Sequence, residues 1–211
     1  MRRILVADDH AVVRNGVKKL FEDKPEETTF GEAGTAEEVL TLVREGNWDL
    51  LVLDISLGGG RNGLEALKKA REIRPRLRVL ILTMHAEEQY ARRAFKAGAA
   101  GYITKDSSRA ELLNAINKVL EGGKYVSPAL AEKLIGDLQR GSDRPPHETL
   151  SDREFEVLRL IASGKTVREI AELLSLSDKT ISTYRARLLE KMEMKTNAEL
   201  THYAIRNKLV E

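Results

Sequence analysis

Short runs that are apolar at every position, Leu50-Leu51-Val52-Leu53 above all, alternate with amphipathic stretches through the first part of this chain. A strand apolar on both faces must be covered on both faces, the condition met by a parallel sheet built from βα units. The strand-like runs are Ile4–Ala7, Thr28–Ala33, Leu50–Asp54, Val79–Thr83 and Gly101–Ile103. Helical patterns occupy Ala11–Phe21, Ala36–Arg44, Leu64–Ile73, Glu87–Ala97 and Arg109–Leu120. Five βα units follow, so the expected fold is an α/β domain with a five-stranded parallel sheet. After Gly122-Gly123 comes one more helical stretch, Ala129–Gln139, and then Gly141 to His147, which reads as a linker. From Leu150 onward apolar residues recur only at helical spacing, which predicts a small all-α domain. The expected division is 1–122, a linker with a helix at 123–147, and 148–211.

A chain of 211 residues with 42% hydrophobic content can build two cores. No stretch approaches the roughly 20 apolar residues of a membrane span, and Met-Arg-Arg runs directly into Ile4, so a soluble cytoplasmic protein with no membrane partner is expected. With no cysteine, disulfides, thiol nucleophiles and cysteine-ligated zinc are excluded, and the four histidines show no evident ligand spacing. A net charge of +2 among 32% charged residues does not announce a nucleic-acid binder, so any case for DNA rests on local pattern.

Asp8-Asp9, Asp54, Thr83 and Lys105 stand at, or a step beyond, the C-terminal ends of the first, third, fourth and fifth runs. Those ends share one edge of an open α/β sheet, where ligands collect. Singly, each has an ordinary role, such as Asp8 or Asp9 capping the helix near Ala11. Together they place three carboxylates in one pocket, which calls for a cation, and an all-oxygen set suits magnesium with a phosphoryl group. Lys105 then offers a positive charge to one phosphoryl oxygen and Thr83 a hydroxyl to another, leaving Asp54 as the nucleophile that becomes an aspartyl phosphate.

These residues resemble the receiver domain of two-component response regulators, over about Arg2 to Leu120. The resemblance implies the flavodoxin-like strand order 2-1-3-4-5, direct magnesium binding by Asp9 and Asp54, contact of Asp8 through water, and a ligand from the Ser56 carbonyl. It also implies that Tyr102 is an aromatic switch that moves inward as Thr83 turns to the phosphate. Ser56 and His85, each two residues beyond a site residue, are expected to tune phosphate lifetime. The loop from Ile55 to Gly63 carries three consecutive glycines where the family usually has a proline, which makes it looser than usual.

In the second part, Ser151 and Glu154 have capping-box spacing and open a helix that Gly164 ends. A helix over about Val167–Leu174, the turn Ser175-Leu176-Ser177 and a third helix from Asp178 give a helix-turn-helix, with Ile181, Leu188 and Met192 facing inward. Lys179, Ser182, Thr183 and Ala186 lie on the opposite face, small and polar enough for close approach to base edges. Lys179, Arg185, Arg187, Lys191 and Lys195 flank it against Asp178, Glu190 and Glu193, a modestly positive balance that an ordinary solvated helix would also show.

The stretches Leu150 to Leu158, Gly164-Lys-Thr, Glu169-Ile-Ala171 and Lys179-Thr-Ile-Ser-Thr-Tyr-Arg185 resemble the LuxR-type helix-turn-helix. Joined to a receiver, this is the NarL/FixJ layout of response regulators. The resemblance implies a recognition surface of Lys179, Thr180, Ser182, Thr183 and Ala186, with Tyr184 and Arg185 near the DNA backbone. Arg187 and Lys191 are expected as further phosphate contacts. It implies a sensor histidine kinase as phosphodonor, double-stranded promoter DNA and RNA polymerase as partners, and a homodimer on DNA through about Asn197–Asn207. The chain is expected to take up and lose its own phosphate without turning over an external substrate.

Other readings fit less well. Gly164-Lys165-Thr166 lacks the glycine five residues earlier that a phosphate loop needs, Arg159 standing there. An aspartyl-nucleophile phosphatase needs a second acid two residues after Asp54, where this chain has Ser56. The remaining rival is a phosphorylation-controlled protein-binding module that does not bind DNA.

Overall fold

A computed structural model describes residues 1–22, 27–57, 62–84, 88–139 (135–139 as backbone) and 145–210. The glycines 58–60, Arg61, His85, Glu87 and most of the expected linker, 141–144, lie outside the described residues. The chain divides into two compact units, Met1–Arg140 and Gly141–Glu211.

In the first unit the strands β1 (Arg2–Ala7), β2 (Thr28–Ala33), β3 (Leu50–Leu53), β4 (Arg78–Thr83), β5 (Gly101–Thr104) and β6 (Tyr125–Val126) form one parallel sheet in the order β2-β1-β3-β4-β5-β6. Between and after them run α1 (Ala11–Lys19), α2 (Ala36–Glu45), α3 (Gly63–Ile73), α4 (Glu88–Lys96), α5 (Arg109–Leu120) and α6 (Pro128–Gln139). Leu50 to Leu53 are buried at every position, as a sheet covered on both faces requires. Ile4, Val6, Leu50, Val52, Leu80, Leu82 and Ile103 pack on one face with Val17 of α1 and Ala115, Ile116 and Val119 of α5. Their strand neighbours Leu5, Leu51, Leu53, Val79 and Ile81, also buried, point to the opposite face.

The expected five strands are six. Tyr125–Val126 pairs in parallel with Gly101-Tyr102, inside the stretch assigned from sequence to the linker. A two-residue strand is too short to show a period of two. It is held instead by side-chain contacts: Tyr125 is 6% exposed and its hydroxyl donates to Glu111 Oε1 at 3.0 Å. Burial, helped by that carboxylate, pushes the phenol pKa up to about 12.

The second unit holds a 3₁₀ turn (Pro146–Thr149) followed by α7 (Asp152–Ala162), α8 (Val167–Leu174), α9 (Asp178–Lys191) and α10 (Asn197–Arg206). Each helix starts on a hydroxyl cap, Ser151, Thr166, Ser177 or Thr196, and α7 and α8 close full capping boxes with Glu154 and Glu169. Such caps satisfy backbone donors that a short helix would otherwise leave open. The turn between α8 and α9 is made by Ser175 in the left-handed region (φ 52°). Phe155, Leu158, Ile170, Ile181, Leu188, Met192, Leu200 and Ala204 form the core. His147, read from sequence as the end of the linker, is buried against the Phe155 and Tyr203 rings, with Nδ1 2.8 Å from the Tyr203 hydroxyl.

Among the described residues no helix is long and apolar enough to cross a membrane.

Candidate functional sites

Strand register assembles the first site. Ala7 stands beside Leu53, Leu53 beside Ile81, and Thr83 beside Thr104. One step beyond each strand end, Asp8, Asp54 and Lys105 therefore meet on a single edge. The main chain locks them there: Asp8 N donates to Ala33 O, Asp54 N to Ala7 O and Lys105 N to Thr83 O, at 3.0, 2.9 and 2.8 Å.

Lys105 Nζ lies 2.6 Å from Asp54 Oδ2 and 2.7 Å from Asp8 Oδ2. Both carboxylates are nearly sealed, at 3% and 2% exposure. Burial alone would lower the lysine pKa, but the two carboxylates outweigh it and hold the ammonium above its ordinary range. Ser56 N donates to Asp54 Oδ1 at 3.1 Å, while the Ser56 side chain stays exposed. Thr83 and Tyr102 belong to adjacent strands and to the same face of the sheet, and both are buried, so the Tyr102 ring already stands inward.

Asp9 is the more open acid, with its side chain 37% exposed. Asp8, Asp9 and His10 bring their ligand atoms within 4.8 Å of one another. His10 escapes a search for repeated histidine spacings because its neighbours in the cluster are the two preceding aspartates. Arg14, also unmarked in the sequence, donates from Nη1 to Asp8 O at 2.7 Å. Buried Asn62 caps α3 by accepting from Leu64 N, and Gly63 N donates to Ile55 O at 2.8 Å, fastening the far side of the Asp54 loop.

On α9 of the helical unit, Lys179, Ser182, Thr183, Ala186 and Arg187 are exposed opposite buried Ile181 and Leu188. Thr180 and Tyr184 are half-buried, and the Thr180 hydroxyl lies 2.8 Å from that of Ser177. The Thr183 hydroxyl donates back to Lys179 O at 2.9 Å. Two of the expected DNA-facing cations also have protein partners. Arg185 Nε donates to Asn197 Oδ1 at 2.6 Å, and Lys191 Nζ donates to Glu154 Oε2 at 2.7 Å.

The Lys191 contact reaches the start of α7. Burial alone would raise the Glu154 pKa, but Lys191 and the Ser151 cap outweigh it and keep the carboxyl below its ordinary 4.5. A depressed carboxyl contributes stability that is present above the unfolded value and lost as pH falls through the lower folded value. Lys191→Met should thus lower the stability of the helical unit at neutral pH by about 1–3 kcal/mol and move its acid unfolding to higher pH. Urea unfolding and an acid titration followed by circular dichroism measure both. Unchanged midpoints would mean that Lys191 does not support the fold.

A buried acidic edge clamped by a lysine on a doubly wound parallel sheet, with a capped helix-turn-helix in a separate unit later in the chain, defines a receiver joined to a regulatory domain. Residues 4–117 match the family described as the response regulator receiver domain, and residues 148–204 match the bacterial regulatory proteins of the luxR family. The chain is 35% identical over 212 residues to the response regulator GacA of Pseudomonas aeruginosa, spanning 100% of this chain and 99% of that protein. It is 33% identical to the response regulator UvrY of Escherichia coli K12, over 99% of this chain and 96% of that protein. Among solved structures, the RcsB response regulator of Salmonella typhimurium superposes with a TM-score of 0.67 at 25% identity, over 96% of this chain and 97% of that one. RcsB has also been solved on promoter DNA with the phosphomimetic beryllium fluoride, at 27% identity and a TM-score of 0.60, over 96% of this chain and 97% of that one. The chain belongs to the response regulators of two-component systems, in the NarL/FixJ arrangement of receiver and LuxR-type helix-turn-helix, and is a DNA-binding transcription regulator rather than a turnover enzyme.

Proposed function

We propose that Asp54 accepts a phosphoryl group from a sensor histidine kinase, and that this controls binding of promoter DNA by α9. The observation that carries the reading is Lys105 bridging the buried carboxylates of Asp54 and Asp8. Two carboxylates share one ammonium, and the third acid, Asp9, stands next to Asp8 in the chain, so negative charge is in excess. Buried Asp8 Oδ2 accepts no well-directed hydrogen bond and has only the Lys105 charge, 2.7 Å away, set against it among the described residues. An all-oxygen set of this kind fits magnesium. Asp9 and Asp54 would hold it directly, Asp8 through water, and the Ser56 carbonyl would complete the protein ligands. When bound, the ion neutralises charge on the incoming phosphoryl oxygens.

An Asp54 oxygen forms the new bond to phosphorus as the donor's bond breaks, and Lys105 transfers its contact from the carboxylate to a phosphoryl oxygen. The added charge of about −1.5 to −2 offers the Thr83 hydroxyl a new acceptor, and the turn of Thr83 holds Tyr102 in the inward position it already takes on the same face. The altered surface around α4 and β5 favours the DNA-bound homodimer, in which α10 helices pair and two recognition helices meet half-sites about one DNA turn apart. The complex acts in the cytoplasm on RNA polymerase at the promoter.

On α9, base-edge contacts specify and phosphate contacts position. Substituting Ser182 or Thr183 should change which sequence is preferred, at about 1–3 kcal/mol for a lost contact. Arg187→Ala should weaken binding to all sequences and flatten the salt slope by about 1. Mobility shifts over a salt series, with and without acetyl phosphate, measure both effects. No binding even at low salt would leave the chain as a phosphorylation-controlled protein-binding module.

A further inference from the structure

We propose that Arg14 is a positioning residue of the acidic site: anchored by Glu32, its guanidinium fixes the peptide that joins Asp8 to Asp9 and so sets how tightly the site takes a cation. The inference rests on the reading of that site as a magnesium site and concerns how its acids are aimed.

The strand ladder stops where Arg14 takes over. β1 pairs with β2 as far as Ala7 beside Ala33, and the Asp8 N–H still reaches Ala33 O at 3.0 Å. The Asp8 carbonyl accepts instead from Arg14 Nη1 at 2.7 Å. The same guanidinium is held from another side, since Arg14 Nε donates to Glu32 Oε2 at 3.0 Å. Glu32 stands beside Val6 in the register and directly precedes Ala33, so both ends of the Asp8 main chain are tied to consecutive residues of β2. Lys18, one turn along α1 from Arg14, donates to the second Glu32 oxygen. The two cations, Lys18 foremost, keep the Glu32 carboxyl below its ordinary range, so the anchor is charged at neutral pH. The Arg14 side chain is only 19% exposed and is engaged on two sides, unlike the single exposed ion pair that contributes little.

A peptide unit is planar, so turning the Asp8 carbonyl turns the Asp9 N–H with it and shifts Asp9. The Asp8 carboxylate is buried and paired with Lys105, whereas the Asp9 side chain is 37% exposed. Loss of Arg14 therefore falls chiefly on the aim of Asp9, while the Asp54–Lys105 contact lies on other strands.

Charge and position predict opposite signs. Arg14 is a cation beside a site that attracts a cation, so if its charge alone mattered, removing it would tighten magnesium binding. If its fork holds the Asp8-Asp9 peptide, removing it weakens binding in spite of the lost repulsion. Lysine at this position keeps the charge without the fork.

Full-length wild type, Arg14→Met, Arg14→Lys, Glu32→Gln and the double variant Arg14→Met/Glu32→Gln are titrated with Mg²⁺ by calorimetry, then phosphorylated with acetyl phosphate at saturating Mg²⁺. Circular dichroism checks that each is folded. Arg14→Met should weaken Mg²⁺ binding about tenfold, with a clearly smaller fall in the saturated rate, and Arg14→Lys should weaken it too. Glu32→Gln should also weaken it, and the double variant should bind little worse than Arg14→Met, because Glu32 acts through Arg14. Unchanged or tighter Mg²⁺ binding by Arg14→Met overturns the proposal; if that variant does not fold, wild-type affinity in Arg14→Lys overturns it equally. A saturated rate that falls as far as the affinity makes Arg14 a general support of the fold and overturns the positioning role, with the magnesium site left standing. Failure of wild type to bind Mg²⁺ removes the cation reading itself, and the proposal with it.

Discussion

Incubated with magnesium and acetyl phosphate, the wild-type chain should gain one phosphoryl group, seen by intact mass spectrometry, and Asp54→Ala should gain none. The two neighbouring acids are held in environments that keep them from substituting. Asp8 is 2% exposed, with Oδ2 facing Lys105 and Oδ1 engaged by the His10 backbone. Asp9 is more open, but it follows Asp8 and so lies two steps beyond the end of β1, with its carboxylate against His10. Asp54 shares the lysine contact and accepts a backbone donor from Ser56, but it follows β3, between the strands that carry Asp8 and Thr83. Lys105→Ala should leave the acceptor in place and slow the reaction about a hundredfold or more, because a preorganised positive charge at the transferring group is lost. Phosphorylation of Asp54→Ala at the wild-type rate would move the acceptor elsewhere.

Gly63→Ala should cost about 3 kcal/mol or more in urea unfolding of the receiver unit and slow phosphorylation as well. A Cβ on Gly63 would stand 2.2 Å from Asp54 O, 2.7 Å from Ile55 Cα and 2.9 Å from Ile55 O. All three are backbone atoms, so no side chain can swing aside to admit the methyl group. The first turn of α3 must retreat from the end of β3, and the Asp54 main chain moves with it. Gly16 is the counterpart. It lies within α1 with nothing within 4 Å of the place a Cβ would take, and Gly16→Ala should gain about 0.5–1 kcal/mol from helix propensity alone. A Gly63→Ala variant as stable as wild type would contradict the close approach between α3 and the Asp54 loop.

Much of the fold was legible because its signals are local. Leu50 to Leu53 announce a strand covered on both faces, and Ser151 with Glu154, Gly164 and the Ser175-Leu176-Ser177 turn mark helix ends through chemistry that acts over three or four residues. The strand Tyr125–Val126 was not legible, since its evidence is a tyrosine buried against β5 and a hydroxyl on Glu111, fourteen residues away in sequence. His147 likewise reads as linker until Phe155 and Tyr203 are seen around it.

The same division holds for the sites. Residue types at strand ends, Asp8, Asp9, Asp54, Thr83 and Lys105, were determined by the sequence, because parallel strands of known direction must put those ends on one edge. Which charges meet was decided only by the tertiary structure. Lys105 bridges Asp8 and Asp54 across 97 and 51 positions of chain, Lys191 is drawn to Glu154 at the start of another helix, and Arg185 to Asn197. Charge pairing depends on distances of a few ångströms between side chains far apart in sequence, and only the packing of the elements sets those distances.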